Sequence, residues 1–320
     1  MRAIVAARAG GPEVLELREI EPPGAGVGQV LVQTAAIGVN FIETYHRSGV
    51  YPVQYPFTPG AEAAGTVLSV GPGVEGFAPG DRVTTSQGVA TYAEQFVVDA
   101  AAAVHVPEGV DFDTAAAIPL QGATAHYLAV SAAHPQPGDT VLVHAGAGGV
   151  GLLLTQLLTA RGVRVLTTVS TAAKRALSLG AGAAAALEYD GFAEATRQLT
   201  DGEGVAVVYD GVGRDTFDES LRALRVRGEM VLFGGASGQV PPFDLQRLNA
   251  GGSLSITRPS LGHFMRTTEE RDWRYRELFD AIAAGTLSVR IGAAFPLAHA
   301  ADAHRAIEGR ATTGKVLLRP

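Results

Sequence analysis

HAGAGGVG, residues 144–151, places Gly146, Gly148 and Gly151 in the G-x-G-x-x-G spacing, and its neighbours decide how that spacing is read. The apolar run TVLVH (140–144) leads into it. Behind it, Val150, Leu153, Leu154, Leu157 and Leu158 recur at the i, i+3, i+4, i+7, i+8 intervals of an amphipathic helix. Strand, glycine turn and helix in that order predict a dinucleotide-binding corner. The first glycine permits the tight turn, the second lets a pyrophosphate approach the backbone, and the third lets helix pack on strand. The helix N-terminus adds N–H groups and partial positive charge for the anion. A glycine-rich corner with no ligand is the competing reading, and the flanking periodicity weighs against it.

The same rhythm continues downstream. Apolar runs at 163–169, 184–187, 205–209, 229–233 and 253–257 are separated by helix-length segments, so with 140–144 they predict six parallel strands in a doubly wound Rossmann sheet. Upstream, short β-type runs such as QVLVQTAAI (29–37) and GTVLSV (65–70) stand among frequent Gly and Pro, the pattern of an irregular, partly open barrel. After residue 257 come a helical stretch at 271–284, a segment at 288–295, a helix near 301–308 and a closing strand at 315–318. The β-rich domain is therefore expected to be discontinuous, residues 1–122 and 262–320, with a Rossmann domain of residues 123–261 inserted. The fold class is α/β.

Composition narrows the function. The chain has 320 residues, 47% of them hydrophobic, which suits two domains rather than one. Cysteine is absent, which excludes disulfides, thiolate-held zinc, iron–sulfur clusters and thiol nucleophiles, so redox chemistry must come from a bound cofactor. The net charge of −7 gives no long-range attraction for phosphate backbones, and a nucleic-acid partner is not expected. No apolar run is long enough for a membrane span and the N-terminus has no signal-peptide pattern, so the expected location is the cytoplasm.

NAD-specific folds put an acid about 20 residues beyond the glycine turn to hold the ribose hydroxyls. Here the second strand ends in VSTAAKR (169–175), with no acid and with Ser170, Lys174 and Arg175 available to a 2′-phosphate. Lys174 alone is readable as an ordinary solvated helix residue. The missing acid turns the expectation to NADPH.

Six segments carry a family resemblance: NFIETYHRSGVYP (40–52), PGAEAAGTVLSVGPGVEGFAPGDRV (59–83), HAGAGGVG, VVYDGVGRDTFDESL (207–221), ITRPSL (256–261) and RATTGKVLL (310–318). Together they resemble the quinone oxidoreductase, zeta-crystallin-like branch of the zinc-free medium-chain dehydrogenases/reductases over essentially the whole chain. The resemblance implies a GroES-like catalytic domain, a Rossmann domain and a homodimer formed largely through the Rossmann sheets. It further implies that Asn40 and Tyr45 line the nicotinamide and substrate region, with Thr124 near the cofactor. Gly148, Gly149 and Val150 would contact the pyrophosphate, and Ser170, Lys174, Tyr189 and Arg310 would surround the 2′-phosphate. Phe233, Gly234, Ser237, Thr257 and Arg258 would follow the cofactor towards its nicotinamide. Two positions depart from the family pattern: Glu43 stands where many relatives have Asp, and Gln121 where some have Lys.

The zinc-dependent branch needs a Cys near position 40 and a His in G-H-E, where this chain reads Gly60-Ala61-Glu62, and the eight histidines show no metal-site spacing. No metal is expected. An acceptor that takes reducing equivalents without strong carbonyl polarisation fits that absence, and quinones qualify because their reduction yields an aromatic product. Asn40 can hydrogen-bond a quinone or nicotinamide oxygen, and Tyr45 can donate a proton or wall the acceptor. Taken without the motif, Asn40 is a turn residue and Tyr45 a packed aromatic. The alternatives are an NADPH-dependent reductase of activated C=C bonds in enones or enoyl substrates, and a structural or RNA-binding role of the kind zeta-crystallin relatives have taken on; the acidic charge argues against RNA.

Overall fold

A computed structural model describes residues 1–320. From the N-terminus, β1 (Arg2–Ala6) and β2 (Leu15–Glu19) form an antiparallel pair. The run at 29–37 extends into β3 (Gln29–Val39), whose first half alternates buried Val30, Val32 and Thr34 with more exposed neighbours, while its second half is almost continuously buried. That change of pattern is what a strand shows when it passes from a one-sided to a two-sided cover. There follow α1 (Phe41–Ser48), β4 (Ala63–Val70), β5 (Arg82–Thr85), β6 (Gln95–Asp99), β7 (Val104–His105) and α2 (Phe112–Ala117).

The next stretch alternates helix and strand: α3 (Gln121–Tyr127), β8 (Thr140–Val143), α4 (Gly149–Thr159), β9 (Arg164–Thr168), α5 (Ala172–Gly180), β10 (Ala185–Leu187), α6 (Phe192–Gln198), β11 (Val205–Asp210), α7 (Phe217–Ala223), β12 (Leu224–Leu232), α8 (Gln246–Ala250) and β13 (Ser255–Thr257). Every pair in this six-stranded sheet is parallel and the order is β10-β9-β8-β11-β12-β13. Numbered from β8, that is 3-2-1-4-5-6, the Rossmann order, with the reversal between β8 and β11. Its core gathers Leu142, Leu166, Phe192, Val208, Phe217, Leu221 and Met230.

After α9 (Thr268–Ala283), β14 (Ile291–Pro296), α10 (Ala300–Glu308) and β15 (Lys315–Arg319) complete the other sheet. It has seven strands in the order β14-β15-β3-β4-β5-β7, with β6 also on β3; β15 runs antiparallel to β3. Two units result: Met1–Leu120 with Tyr275–Ala283 and Val289–Pro320, and Gln121–Arg274 with Ala284–Ser288. We refer to them as the β-rich unit and the Rossmann unit.

Two local expectations change. The helix of the glycine corner is buried around most of its circumference, with Leu152 and Thr155 covered as well as the expected stripe, because GVGLLLTQLLT offers no charged face to turn outward. β12 begins at Leu224, five residues before the apolar run at 229, and is exposed at Val226 and Arg227; a register shift opposite Val205–Val207 and a left-handed Arg227 (φ 61°) mark the irregular entry. No helix is long and apolar enough to cross a membrane.

Candidate functional site

In the Rossmann unit the glycine turn leaves the end of β8 beside the strand-order reversal, where doubly wound sheets bind ligands. Ala145 adopts a left-handed φ of 52°, Gly146 N–H donates to the Thr168 carbonyl of β9 at 3.0 Å, and Gly148 N–H donates back to Ala145 at 2.8 Å. Each glycine has a distinct reason. A Cβ on Gly146 would lie 2.5 Å from Thr167 Cβ, one on Gly151 would overlap the Ala145 carbonyl oxygen, and one on Gly149 would overlap the Gln121 side chain. Gly148 is different: its Cβ would meet only Ala145, the carbonyl oxygen at 3.2 Å and Cβ at 3.9 Å. Gly148 caps α4, whose first-turn N–H groups, those of Gly149, Val150 and Gly151, have no intrahelical acceptors and suit an anion. The residues present therefore fit a pyrophosphate.

Beneath the turn lies a buried polar network. Asp210 at the end of β11 accepts from the Val212 and Gly213 N–H groups (2.8 and 2.9 Å) and from the hydroxyls of Thr216 (2.7 Å) and Ser220 (3.0 Å). Since the Ser220 proton goes to Asp210, Ser220 Oγ accepts from His144 Nε2–H at 2.9 Å, and Thr168 donates to His144 Nδ1 at 2.8 Å. His144 is thus neutral, and burial lowers its pKa despite the nearby Asp210 charge. The network ties the ends of β8, β9 and β11 together under the turn. Tyr189 stacks on His144, ring centroids 6.2 Å apart, and its hydroxyl accepts from Ala145 N–H at 3.1 Å.

At the end of β9 the structure brings Ser170 and Lys174 together, Nζ to Oγ at 3.5 Å, with Thr171 capping α5. Arg175 does not join them. Its guanidinium donates to the Ala186 carbonyl and pairs with Glu188, which leaves Lys174 as the cation of this corner. Beyond β12, Phe233 N–H donates to Asp210 O at 2.9 Å, Gly234 approaches Gly211 too closely for a Cβ, and Ser237 Oγ bridges Val212 O and Asp215 N–H. Thr257 Oγ1 donates to Glu229 at 3.0 Å, Arg258 lies just past β13, and Thr124 is buried in α3.

The β-rich unit holds the other predicted residues. Strand register assembles them: Val39 pairs with Val316, which sets Lys315 beside Asn40, and Ile37 pairs with Ala63, which sets Glu62 beside Gly38. Asn40 is 4% exposed, Glu43 1%, Glu62 0% and Lys315 2%. Lys315 Nζ donates to Asn40 Oδ1 at 2.7 Å and to Glu62 Oε2; Asn40 Nδ2 donates to Glu62 Oε2 at 2.7 Å, and Leu120 N–H donates to Glu62 Oε1 at 2.6 Å. Glu43, one turn into α1, accepts from Asn40 N–H at 2.6 Å through one oxygen, while its Oε1 has no partner. Burial is the dominant cause that raises the Glu43 pKa to about 8; Lys315 opposes it and Glu62 adds to it. Glu43 is therefore mostly protonated at neutral pH.

Tyr45, half-buried on α1, meets Phe41 (5.4 Å) and Tyr51 (5.2 Å), giving a small aromatic wall. Arg310 has a left-handed φ of 55° in the turn before β15. Behind α1, Arg47 donates to His304 Nδ1 at 3.0 Å and to Glu308, so His304 carries its proton on Nε2 and donates to Tyr92 Oη at 3.1 Å; burial lowers its pKa to about 3. Sequence reasoning did not single out Lys315 or Glu62. A lysine opening the apolar strand KVLL reads as an exposed strand end, and only the three-strand register reveals it as a buried cation.

Residues 26–137 match the family model "Alcohol dehydrogenase GroES-like domain" and residues 149–281 match "Zinc-binding dehydrogenase". The residues do not fit the zinc of the second description. Asn40 and Ala61 stand where Cys and His would be needed, no three His, Asp or Glu side chains are grouped to hold a metal, and the Lys315 ammonium already lies against Asn40 and Glu62. A quinone oxidoreductase of Pseudomonas aeruginosa is 43% identical over 97% of both chains, and a 2-haloacrylate reductase of a Burkholderia species is 40% identical over 99% of this chain and 98% of its own. A mycobacterial protein solved in complex with NADPH is 52% identical and superposes over the full length of both chains with a TM-score of 0.98. With the glycine corner, an Asn40 cluster without the Cys and His that zinc needs and this full-length identity in agreement, the chain belongs to the quinone oxidoreductase family of the medium-chain dehydrogenases/reductases.

Proposed function

We propose that the protein is an NADPH-dependent, metal-independent reductase of quinones. The observation that carries the cofactor choice is the Lys174–Ser170 pair at an acid-free end of β9, a donor set for a 2′-phosphate and a poor one for a bare ribose diol. The N-terminus of α4 holds the pyrophosphate through the Gly149, Val150 and Gly151 N–H groups, and Gly148 leaves room for it. We assign Tyr189 and Arg310 to the 2′-phosphate as well, and Thr124, Gly146, Phe233, Gly234, Ser237, Thr257 and Arg258 to the remainder of the cofactor. Bound NADPH supplies the hydride. On the acceptor side, Phe41, Tyr45 and Tyr51 offer ring faces to a planar quinone, Asn40 orients its oxygen, and the Tyr45 hydroxyl is the proton donor.

The test is loss of the reduced-nicotinamide absorbance with NADPH and with NADH, offering small quinones and activated enones after chelator treatment. Chelator-resistant turnover of quinones with a preference for NADPH is expected. Turnover confined to enones would favour a second reading, reduction of an activated C=C bond, which the 40% identity to a 2-haloacrylate reductase supports. Lys174→Ala is expected to raise the KM for NADPH roughly tenfold and leave that for NADH within about twofold, since one charge-assisted contact is lost with one cofactor only. Equal losses with both would remove Lys174 from the phosphate site.

We further propose a cytoplasmic homodimer. β13 is the edge of its sheet and its residues are partly exposed, so a second copy can extend the sheet there.

A further inference from the structure

We propose that Lys315 and Glu62 are positioning residues for Asn40, fixing which end of its side-chain amide is oxygen and which is nitrogen; this deepens the functional reading above and rests on it for the role of Asn40. The argument is one of donor and acceptor capacity. An ammonium has three donors and no acceptor, and an ionised carboxylate accepts only. Lys315 Nζ therefore selects Asn40 Oδ1, at 2.7 Å, and Glu62 Oε2 selects Asn40 Nδ2, also at 2.7 Å. Lys315 and Glu62 also pair with one another, so the three side chains close a ring in which a flipped amide would set nitrogen against ammonium and oxygen against carboxylate. The nitrogen edge of Asn40 is thereby held towards Glu62 and its oxygen towards Lys315.

Two further features show that the ring is built into the fold. Gly38 lies on β3 against Glu62, and a Cβ there would overlap Glu62 Oε2 and lie 2.7 Å from the Ala116 carbonyl oxygen, so glycine makes room for the carboxylate. Glu62 Oε1 is anchored from the other side by Leu120 N–H. The rest of the chain holds only one other lysine, Lys174, against 25 lysines and arginines together, so this cation is set apart in a chain that otherwise uses arginine. A long, narrow ammonium reaches between two side chains where a planar guanidinium fork does not.

The chain has two asparagines, Asn40 and the exposed Asn249, so 15N-asparagine labelling gives side-chain amide signals that a single Asn249→Ser variant assigns. In the full-length wild type, the Asn40 amide protons are expected to exchange slowly with solvent and the Asn249 protons quickly. Lys315→Met is expected to shift the Asn40 signals and speed their exchange. With a quinone, the same variant should lose roughly 10- to 100-fold in kcat while the dissociation constant for NADPH, followed by nucleotide fluorescence, stays within about twofold. Lys315→Met added to Asn40→Ala should cost nothing more in kcat, because residues acting through one another are not additive. Should Lys315→Met fail to fold, Gly38→Ala takes its place: it displaces the Glu62 carboxylate and leaves Lys315 and Asn40 present. Unchanged Asn40 signals in a folded variant, or kcat losses that add, overturn the positioning role. Absence of quinone turnover in the wild type would count against the functional reading alone, and the amide signals would still decide the orientation of Asn40.

Discussion

Gly151→Ala is expected to abolish measurable NADPH binding, raising the dissociation constant by about 100-fold or more, and to lower the melting temperature as well. Its Cβ would overlap the carbonyl oxygen of Ala145 and lie 3.0 Å from both Ala145 C and Gly146 Cα. All three atoms are backbone, so no side-chain rotation relieves the clash, and the turn must open. Opening it separates Ala145 from the Tyr189 hydroxyl and moves the first N–H groups of α4 away from the anion. The stability cost should reach about 2–4 kcal/mol, in the range of overpacking at a position that cannot relax. Gly148→Ala supplies the contrast. With only a 3.2 Å contact to accommodate, it should melt close to the wild type yet bind NADPH roughly tenfold more weakly, because the new methyl occupies the approach to the pyrophosphate. Calorimetry and fluorescence titration on both variants check the pair; tight NADPH binding by Gly148→Ala would move the pyrophosphate elsewhere.

The second large effect is on stability against pH. The Glu43 pKa is about 8 in the folded chain and near its ordinary value of 4.5 when unfolded, so between those values the folded state binds more protons. Glu43 therefore contributes stability that is fully present below pH 4.5 and is lost as pH rises through 8. Its full magnitude, from 1.36 kcal/mol per unit over the net shift, should be about 5 kcal/mol, most of it lost between pH 5 and pH 8. The groups facing it are Lys315 and Glu62, with Tyr92, whose own pKa burial raises and whose phenolate the two carboxylates would oppose. Urea unfolding at pH 5 and pH 8 should show the difference in the wild type, and Glu43→Gln, of the same shape and without the charge, should lose most of it. Parallel pH profiles for the two proteins would locate the proton elsewhere. Asp in place of Glu43 would be one methylene shorter and is expected to lose the hydrogen bond from the Asn40 N–H.

The Rossmann sheet was readable from the chain because its information is local. Each of the six apolar runs lies between helix-length segments, and the glycine corner names the strand at which the order reverses. What escaped that reading depends on partners distant in sequence. Arg175 and Lys174 are adjacent and chemically alike, yet only the position of Ala186 and Glu188 across the corner shows that Arg175 is turned away. Lys315 and Glu62 are separated by 253 residues and meet only because both flank β3. The start of β12 alternates as Leu224-Arg225-Val226-Arg227 yet was not read as strand, and the alternation does not translate into burial, since Val226 is exposed where the strand entry is irregular. The motif that contains Asn40 and Tyr45 drew attention to both, and the ring that holds Asn40 was not legible from it.

The placement of β15 has a consequence for synthesis. All six strands of the Rossmann unit lie between residues 140 and 257, whereas β3 waits for β15, which begins at Lys315. On a ribosome the nucleotide-binding half is complete in sequence while the other sheet still lacks a strand, and Glu62 is without its countercharge until the final residues emerge. A translation product cut short before residue 315 would carry every strand of the Rossmann sheet in its sequence and lack both the closing strand of the other sheet and the cation that faces Asn40 and Glu62.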